Sequence, residues 1–477
     1  MLKNKIEKFI IWERPCYPGL VFIAGEAVVI PHQREFGRPW AKTYAFWSKG
    51  MVRFIWPKKE FLANSRFIAQ NFLIDRYLIS KLNKFKQLER RLTDWQKKLT
   101  RVDFKKLSDR NFLTLIRQFN QVYLNWWGWA QVAEPAAAGL ESILREKIKL
   151  SHEEFSILTT PTKKSYTMVE EEEIFTLALI YKRTRSISAK RLDRHVKKYF
   201  WINNGYDHTY FLDADYFAQR VKEAAAKMSA RQISRALAGN QARLSSSQDK
   251  IKQLMRQLGV SADIKKVLTL IDWLADFQDK RKATSLKIHF YLDKFIKEVS
   301  RRSYITYESA RYLIPQEYAD AIHDKLFLPS FRQRQKYMGI VYSEQGLKLY
   351  VGLVAKKMEE KLLGRIQGSE TNEIEGARAM GGKIVGRARL ILKKGDINKI
   401  KAGEILVTTM TSPDFIAAMK KAAAIVTDEG GLTCHAAIIS RELGLPCVIG
   451  TKIATRVIKD GDWLEVNANH GIIKIIR

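Results

Sequence analysis

The C-terminal fold is decided by one stretch of sequence, Thr427-Asp428-Glu429-Gly430-Gly431-Leu432-Thr433-Cys434-His435-Ala436-Ala437-Ile438-Ile439-Ser440-Arg441-Glu442-Leu443-Gly444-Leu445-Pro446. It opens at the end of a β-branched run and continues into two adjacent glycines, which permit positive φ or close approach of the backbone to a ligand. A polar triplet then enters a helical pattern that a glycine and a proline end. The stretch predicts a strand, a glycine loop and a helix from about Thr433 to Gly444.

The start of this helix suits phosphate chemistry. Its first N–H groups have no partner within the helix, and the helix dipole adds positive potential, so the position favours an anion. An imidazole placed there can attack phosphorus as a nucleophile, and the same N–H groups then stabilise the phosphoryl group. Ala436 and Ala437 leave room for a bulky donor. His435 is the imidazole that this stretch places at the helix start.

Short β-branched runs around this stretch predict a compact α/β domain. They are bounded by Gly, Asp or Pro, which is typical of strands. The runs lie at residues 384–392, 405–409, 424–427, 447–450, 463–466 and 472–476. A further helix is expected after Ser412-Pro413-Asp414, with Ser412 as its cap and Pro413 in its first turn.

The chain ahead of this domain is predicted to be mostly helical. Apolar residues recur every three or four positions with Lys and Arg between them, as on an amphipathic helix, at Phe85, Leu88, Leu92, Trp95 and Leu99. Similar patterns occur at residues 217–237, 249–258, 262–301 and 346–363. The runs 200–202 and 210–212 are interpreted as short extended pieces.

These patterns divide the chain into four parts of an α+β multidomain protein. Residues 1–60 are rich in Trp, Phe, Pro and Gly and are expected to form an irregular cap. Residues 61–366 are the helical domain, and residues 367–376 are a polar hinge linker. Residues 377–477 form the compact α/β domain.

Composition favours a soluble cytoplasmic protein with anionic partners. The net charge is +33, and residues 370–477 hold 16 Lys or Arg against 12 Asp or Glu, so +29 belongs to the rest. Such a field favours nucleic acid, nucleotides, phosphorylated metabolites or acidic lipid headgroups, with a solvated basic surface as the simpler interpretation. The three cysteines have no metal-ligand spacing, so no metal site is expected. No membrane span or signal peptide is expected either.

The stretch around His435 resembles the swivelling phosphohistidine (mobile) domain of PEP-utilising enzymes, a family that includes phosphoenolpyruvate synthase, pyruvate phosphate dikinase and rifampicin phosphotransferase. The shared pattern is Gly-Gly, Thr-Ser/Cys-His, two alanines and then Arg-Glu-Leu-Gly-Ile/Leu-Pro. It covers about residues 376–477 and includes Gly382, Gly386, Thr411 and Gly450. The resemblance implies a β/β/α swivelling fold.

The resemblance also implies site residues and partners. Its catalytic residues are His435 and Thr433, and its phosphate-loop residues are Gly430, Gly431, Cys434 and Arg441. Arg441 is alternatively a structural ion-pair residue, and Cys434 is interpreted as a small packing residue. Because we see no ATP-grasp pattern, the implied donor is a partner with an ATP-grasp or other donor site that uses ATP or phosphoenolpyruvate with Mg. His195 and Tyr206 are weaker candidates for an acceptor pocket, with helix packing as the alternative.

Three functions stay open from the sequence. The chain is a phosphotransfer component charged by a partner, or a small-molecule phosphotransferase whose acceptor binds in the helical domain. Alternatively it is a non-catalytic binding or regulatory module whose basic helical region binds nucleic acid or an acidic partner. No nucleic-acid fold signature is present, so the third ranks below the first two.

Overall fold

The computed structural model describes residues 8–323, 331–363, 372–392, 394–411, 415–430 and 434–476, without the side chains of His152, Lys394, His435, Ile438 and Glu442. These residues form a large, mainly helical part followed by a domain with a mixed sheet, which confirms the α+β multidomain fold. Among the described helices, none combines the length and the apolar composition that crossing a membrane requires.

The first sixty residues are not the irregular cap that their composition predicts, because they supply three strands of an antiparallel sheet. The strands of this sheet are β1 (Phe9–Pro15), β2 (Thr43–Ser48), β3 (Met51–Pro57), β4 (Met338–Ser343) and β5 (Gly346–Val351). Their order is β1-β3-β2-β4-β5. Lys49 and Gly50, with φ of 53° and 76°, form the tight turn between β2 and β3.

The helical part is built around one helix of 42 residues, α12. The helices are α1 (Pro18–Ala27), α2 (Ile30–Phe36), α3 (Lys58–Phe72), α4 (Asp75–Arg101), α5 (Asp109–Ala130), α6 (Ala133–Lys147), α7 (His152–Leu158), α8 (Tyr166–Thr184), α9 (Ala189–Tyr199), α10 (Ala214–Lys227), α11 (Ala230–Gln257), α12 (Ala262–Ser303), α13 (Tyr307–Ala310), α14 (Tyr318–His323), α15 (Phe331–Lys336) and α16 (Leu353–Leu363). The predicted stripe of α4 is confirmed, since Phe85, Leu88, Leu92 and Leu99 are buried.

Three helical predictions differ from the structure. The expected helix at 217–237 is broken, because Ser229 caps α11 with its side chain and ends the continuity with α10. The first part of 346–363 is strand β5, whose partner β4 lies next to it. The runs 200–202 and 210–212 form no strand, since a single backbone hydrogen bond, from Leu212 N to Phe200 O (2.9 Å), joins them.

The C-terminal domain contains an eight-stranded mixed sheet with short helices. Its elements are β6 (Glu373–Glu375), β7 (Ala377–Met380), β8 (Lys383–Leu390), β9 (Ile405–Thr408), α17 (Ile416–Met419), β10 (Ala424–Thr427), α18 (His435–Leu443), β11 (Cys447–Ile449), α19 (Ala454–Val457), β12 (Trp463–Asn467) and β13 (Ile472–Ile476). The strand order is β6-β13-β12-β8-β9-β10-β11-β7, with β8 to β11 parallel.

The six strands predicted in this domain are confirmed, and the last part of the predicted hinge contains a strand. Strand β6 lies inside the predicted hinge at 367–376 and pairs with β13, and Gly376 N donates to Gly471 O (2.8 Å). The remainder of that hinge up to residue 371, and the predicted cap Ser412-Pro413-Asp414, lie outside the described residues.

The packing of α6 on α3 depends on a glycine. A Cβ atom at Gly139 would clash with the carbonyl oxygen of Ser65. We expect Gly139→Ala to lower the free energy of unfolding by about 1–3 kcal/mol, because overpacking moves the backbone. Gly239→Ala in exposed α11 has no atom within 4 Å and is the matched control. Urea unfolding of both variants checks this, and equal stabilities would contradict it.

Candidate functional site

Helix α18 begins at the residue expected to be phosphorylated. Cys434 is its N-cap, with extended backbone, and the Sγ atom accepts a hydrogen bond from Ala437 N (3.5 Å). Gly444 ends the helix with φ of 68°, as the glycine–proline signal predicts. The backbone of His435 is therefore in the first turn, where helix N–H groups favour an anion.

The loop before this helix requires its first glycine. Gly430 has φ of +128°, and a Cβ atom there would approach Cys434 Sγ to 2.7 Å. Gly431, Thr433 and the His435 side chain lie outside the described residues, so their expected roles stay predictions. Burial raises the pKa of the Cys434 thiol.

Glu429 connects the C-terminal domain to the first strand of the chain. Its backbone N–H donates to Thr409 O (2.8 Å). Its carboxylate accepts a hydrogen bond from the backbone N–H of Glu13 and lies 3.9 Å from the Arg14 guanidinium. Burial raises the pKa of Glu429 to about 7, although Arg14 favours its charged form.

A second ion pair joins β1 to the C-terminal domain, and here the C-terminal domain supplies the cation. Arg456, which belongs to α19, donates from Nη2 to the Glu13 carboxylate at 3.0 Å. Glu13 thus contacts the C-terminal domain through both its backbone and its side chain. These contacts hold Glu429 and α19 against β1.

A cleft of about 1480 Å³ lies between the helical part and the C-terminal domain. Gly430, Cys434 and Arg441 line it from the C-terminal domain, and Tyr206 lines it from the opposite wall. Arg441 donates from Nε to Ala379 O (3.1 Å), so this guanidinium also fixes α18 on β7. The cleft brings together most of the described residues that the sequence singles out.

The helical wall of the cleft is aromatic and charged. Trp12 and Trp127 line it, and the Glu134 carboxylate receives two hydrogen bonds from Arg281, one of them at 2.7 Å from Nη1 to Oε2. Arg281 also donates to Gln131 Oε1 (3.1 Å). These side chains offer apolar surface beside paired charges, the usual composition of a small-molecule site.

His195 is not part of the cleft and packs helices together. It is buried between two carboxylates, with Nε2 at 3.3 Å from Glu170 and Nδ1 at 3.3 Å from Glu173. Its ring also lies 4.6 Å from that of Phe217. These contacts of α8, α9 and α10 enclose the imidazole and favour the helix-packing alternative for His195 over an acceptor role.

Two further observations concern residues outside the motif. Among the described residues, no group of three or more His, Cys, Asp or Glu side chains could hold a metal ion. Sequence reasoning missed Glu13, Arg14 and Glu429. Nothing local relates position 14 to position 429, although the carboxylate directly before the two glycines was a usable signal.

We expect the contact at Glu429 to weaken as pH rises. Away from β1 this carboxyl would titrate near its ordinary value of 4.5, whereas the docked state raises its pKa to about 7. The state in which Glu429 contacts β1 therefore binds more protons than the state in which this contact is broken. The contribution of Glu429 to the stability of the contact is full below about pH 4.5 and is lost by about pH 7. Arg14, Glu13 and Asp428 are the charged groups that face the carboxyl.

Small-angle scattering between about pH 5 and about pH 8 checks this prediction. The radius of gyration should rise with pH in the natural protein and stay constant in Glu429→Gln. A natural protein whose radius is constant, or falls with pH, would contradict it.

A structural role for His195 predicts a loss of stability. His195→Ala removes one partner of the buried Glu170 carboxylate. We therefore expect the free energy of unfolding, measured in urea, to fall by about 1–3 kcal/mol. Lys197→Ala on the exposed face of α9 is the control and should change stability by less than about 0.5 kcal/mol. Equal effects of the two changes would refute the role.

The C-terminal domain is similar to a known protein family. Residues 400–471 match the family described as PEP-utilising enzyme, mobile domain. A probable phosphoenolpyruvate synthase of Archaeoglobus fulgidus is 50% identical over 118 residues, which are 25% of this chain and 15% of the relative. The phosphoenolpyruvate synthase of Pyrococcus furiosus is 45% identical over 139 residues, which are 28% of this chain and 17% of the relative.

The similarity is confined to a small part of these relatives. A phosphoenolpyruvate synthase of Neisseria meningitidis is 48% identical over 107 residues, and the match spans 22% of this chain and 13% of that protein. Among solved structures, aconitase X of Thermococcus kodakaraensis matches 22% of this chain and 100% of its own at 21% identity, with a TM-score of 0.19. The C-terminal part of the chain is a mobile domain of the PEP-utilising enzyme family.

Proposed function

We propose that this chain transfers a phosphoryl group from His435 to an acceptor bound in the cleft. Phosphoryl transfer through a phosphohistidine is the chemistry of the family to which the C-terminal domain belongs. The contacts of Glu429 with Glu13 and Arg14 support this proposal, because they hold the C-terminal domain against β1 beside the cleft that all three residues line.

The transfer exchanges one bond at phosphorus for another. The bond between phosphorus and the imidazole nitrogen of His435 breaks as a bond from phosphorus to an acceptor oxygen forms. The proton of the acceptor hydroxyl ends on the imidazole nitrogen that held phosphorus, so the histidine is regenerated. The N–H groups at the start of α18 stabilise the oxygens of the phosphoryl group.

The acceptor in this proposal is a small molecule. The cleft exceeds the roughly 300–1,000 Å³ of ordinary ligand sites, which leaves space for both an acceptor and the phosphoryl group. Trp12, Trp127 and Tyr206 would hold apolar or ring-shaped parts of it. Tyr206 therefore keeps the acceptor role that the sequence suggests.

The phosphoryl donor in this proposal is a partner domain or protein. It would use ATP or phosphoenolpyruvate with Mg, as the resemblance to PEP-utilising enzymes suggests. The C-terminal domain would have to move away from β1 to reach it, which requires the contacts of Glu429 and Arg456 with β1 to break.

Labelling tests the assignment of His435. The protein is incubated with a donor protein, Mg²⁺ and phosphate-labelled ATP or phosphoenolpyruvate, and acid-labile label on the chain is measured. We expect His435→Ala to abolish it and His470→Ala, an exposed histidine of the same domain, to retain it. Label of undiminished intensity on His435→Ala would rule out the proposal.

A further inference from the structure

Arg14 is an unusually unsatisfied cation. Its side chain is 16% exposed, and its Nε–H is buried without a hydrogen-bond partner among the described residues. The carboxylate of Glu429, at 3.9 Å, lies beyond hydrogen-bond distance. A buried guanidinium has five N–H donors and normally uses most of them, so the unused donors need an explanation.

Two aromatic rings lie beside the Arg14 guanidinium. The guanidinium carbon lies 5.1 Å from the ring centre of Trp12 and 5.3 Å from that of Tyr206. These rings shield the guanidinium from water without using its N–H groups. The N–H groups stay available for an acceptor of hydrogen bonds in the cleft, which Arg14 lines.

Neighbouring charges do not use these donors. The Glu134 carboxylate is already bound by Arg281 through two hydrogen bonds. Arg456 is in a similar state to Arg14, since its Nη1 is buried without a hydrogen-bond partner while its Nη2 binds Glu13. Two guanidinium groups with unused donors therefore line the cleft, one from β1 and one from the mobile domain.

We propose that Arg14 is an oxyanion site that binds the phosphoryl group once it has reached the acceptor. A planar guanidinium matches two oxygens of a phosphate, and the low dielectric of the site strengthens that contact. The role of Arg14 in phosphoryl transfer rests on the proposed function. Anion binding itself does not depend on transfer.

Glu429 and the phosphate oxygens compete for Arg14 in this arrangement. The loop carboxylate lies closest to Arg14 when the site holds no anion, and an arriving phosphate replaces it as the partner. An anion on Arg14 would thereby weaken one contact that holds the mobile domain against β1. Product formation would then favour release of the C-terminal domain from β1.

Sulfate binding tests this inference without a donor or an acceptor. Sulfate is a tetrahedral dianion whose charge is constant around neutral pH, and Trp12 beside Arg14 gives a fluorescence signal. We expect Arg14→Gln to weaken sulfate binding by about tenfold or more and Arg14→Lys to weaken it less. Arg183→Gln, which removes an exposed cation that lies outside the cleft, should have no effect.

Each remaining outcome decides the inference. Unchanged sulfate affinity in Arg14→Gln would overturn it, and so would acetate binding as tightly as sulfate, because that would indicate a carboxylate site. Urea unfolding of Arg14→Lys shows whether position 14 tolerates change if Arg14→Gln does not fold. His435→Ala should bind sulfate normally, so a failed labelling experiment and a failed anion site remain distinguishable.

Discussion

The contact between the mobile domain and strand β1 is the interaction on which the functional interpretation depends. Glu13 provides it twice, because its backbone N–H binds Glu429 and its carboxylate binds Arg456. Strand β1 is in turn fixed by β3, where Arg53 is the direct partner of Glu13. Arg53 binds the buried Glu359 carboxylate of α16 at 2.7 Å. Strand pairing and charged side chains thus connect α16 to the contact between β1 and Glu429.

The charged contacts across this boundary have a physical consequence. Buried ion pairs gain little net stability, since desolvation of the charges offsets their attraction. Such contacts specify one arrangement of two domains but release it at modest cost, whereas a large apolar interface would not. Protonation of Glu429, whose pKa burial raises to about 7, offers one way to shift the balance between docked and released states.

The elements of the C-terminal domain could be predicted from the sequence because the residues that define them are local. The β-branched runs, the glycines and the Gly444 stop lie within a few residues of the elements they define. The N-terminal sheet could not be predicted in the same way, because β2 pairs with β4 almost three hundred residues later. The site was predicted only in part for the same reason. Glu429 and Arg14 meet through the tertiary fold, and His195 looked functional until its carboxylate partners were seen.

A covalent link between the two domains tests whether the C-terminal domain must leave β1 before His435 is charged. Cysteines replace Glu13 and Arg456, whose side chains now form an ion pair, and a short bifunctional thiol reagent joins them across the boundary. We expect the C-terminal domain to deliver the phosphoryl group in this docked arrangement and to leave β1 when His435 is charged. Cross-linked protein should therefore acquire no label from the donor, while the uncrosslinked double variant is labelled. Labelling of the locked protein at the rate of the unlocked one would contradict the account.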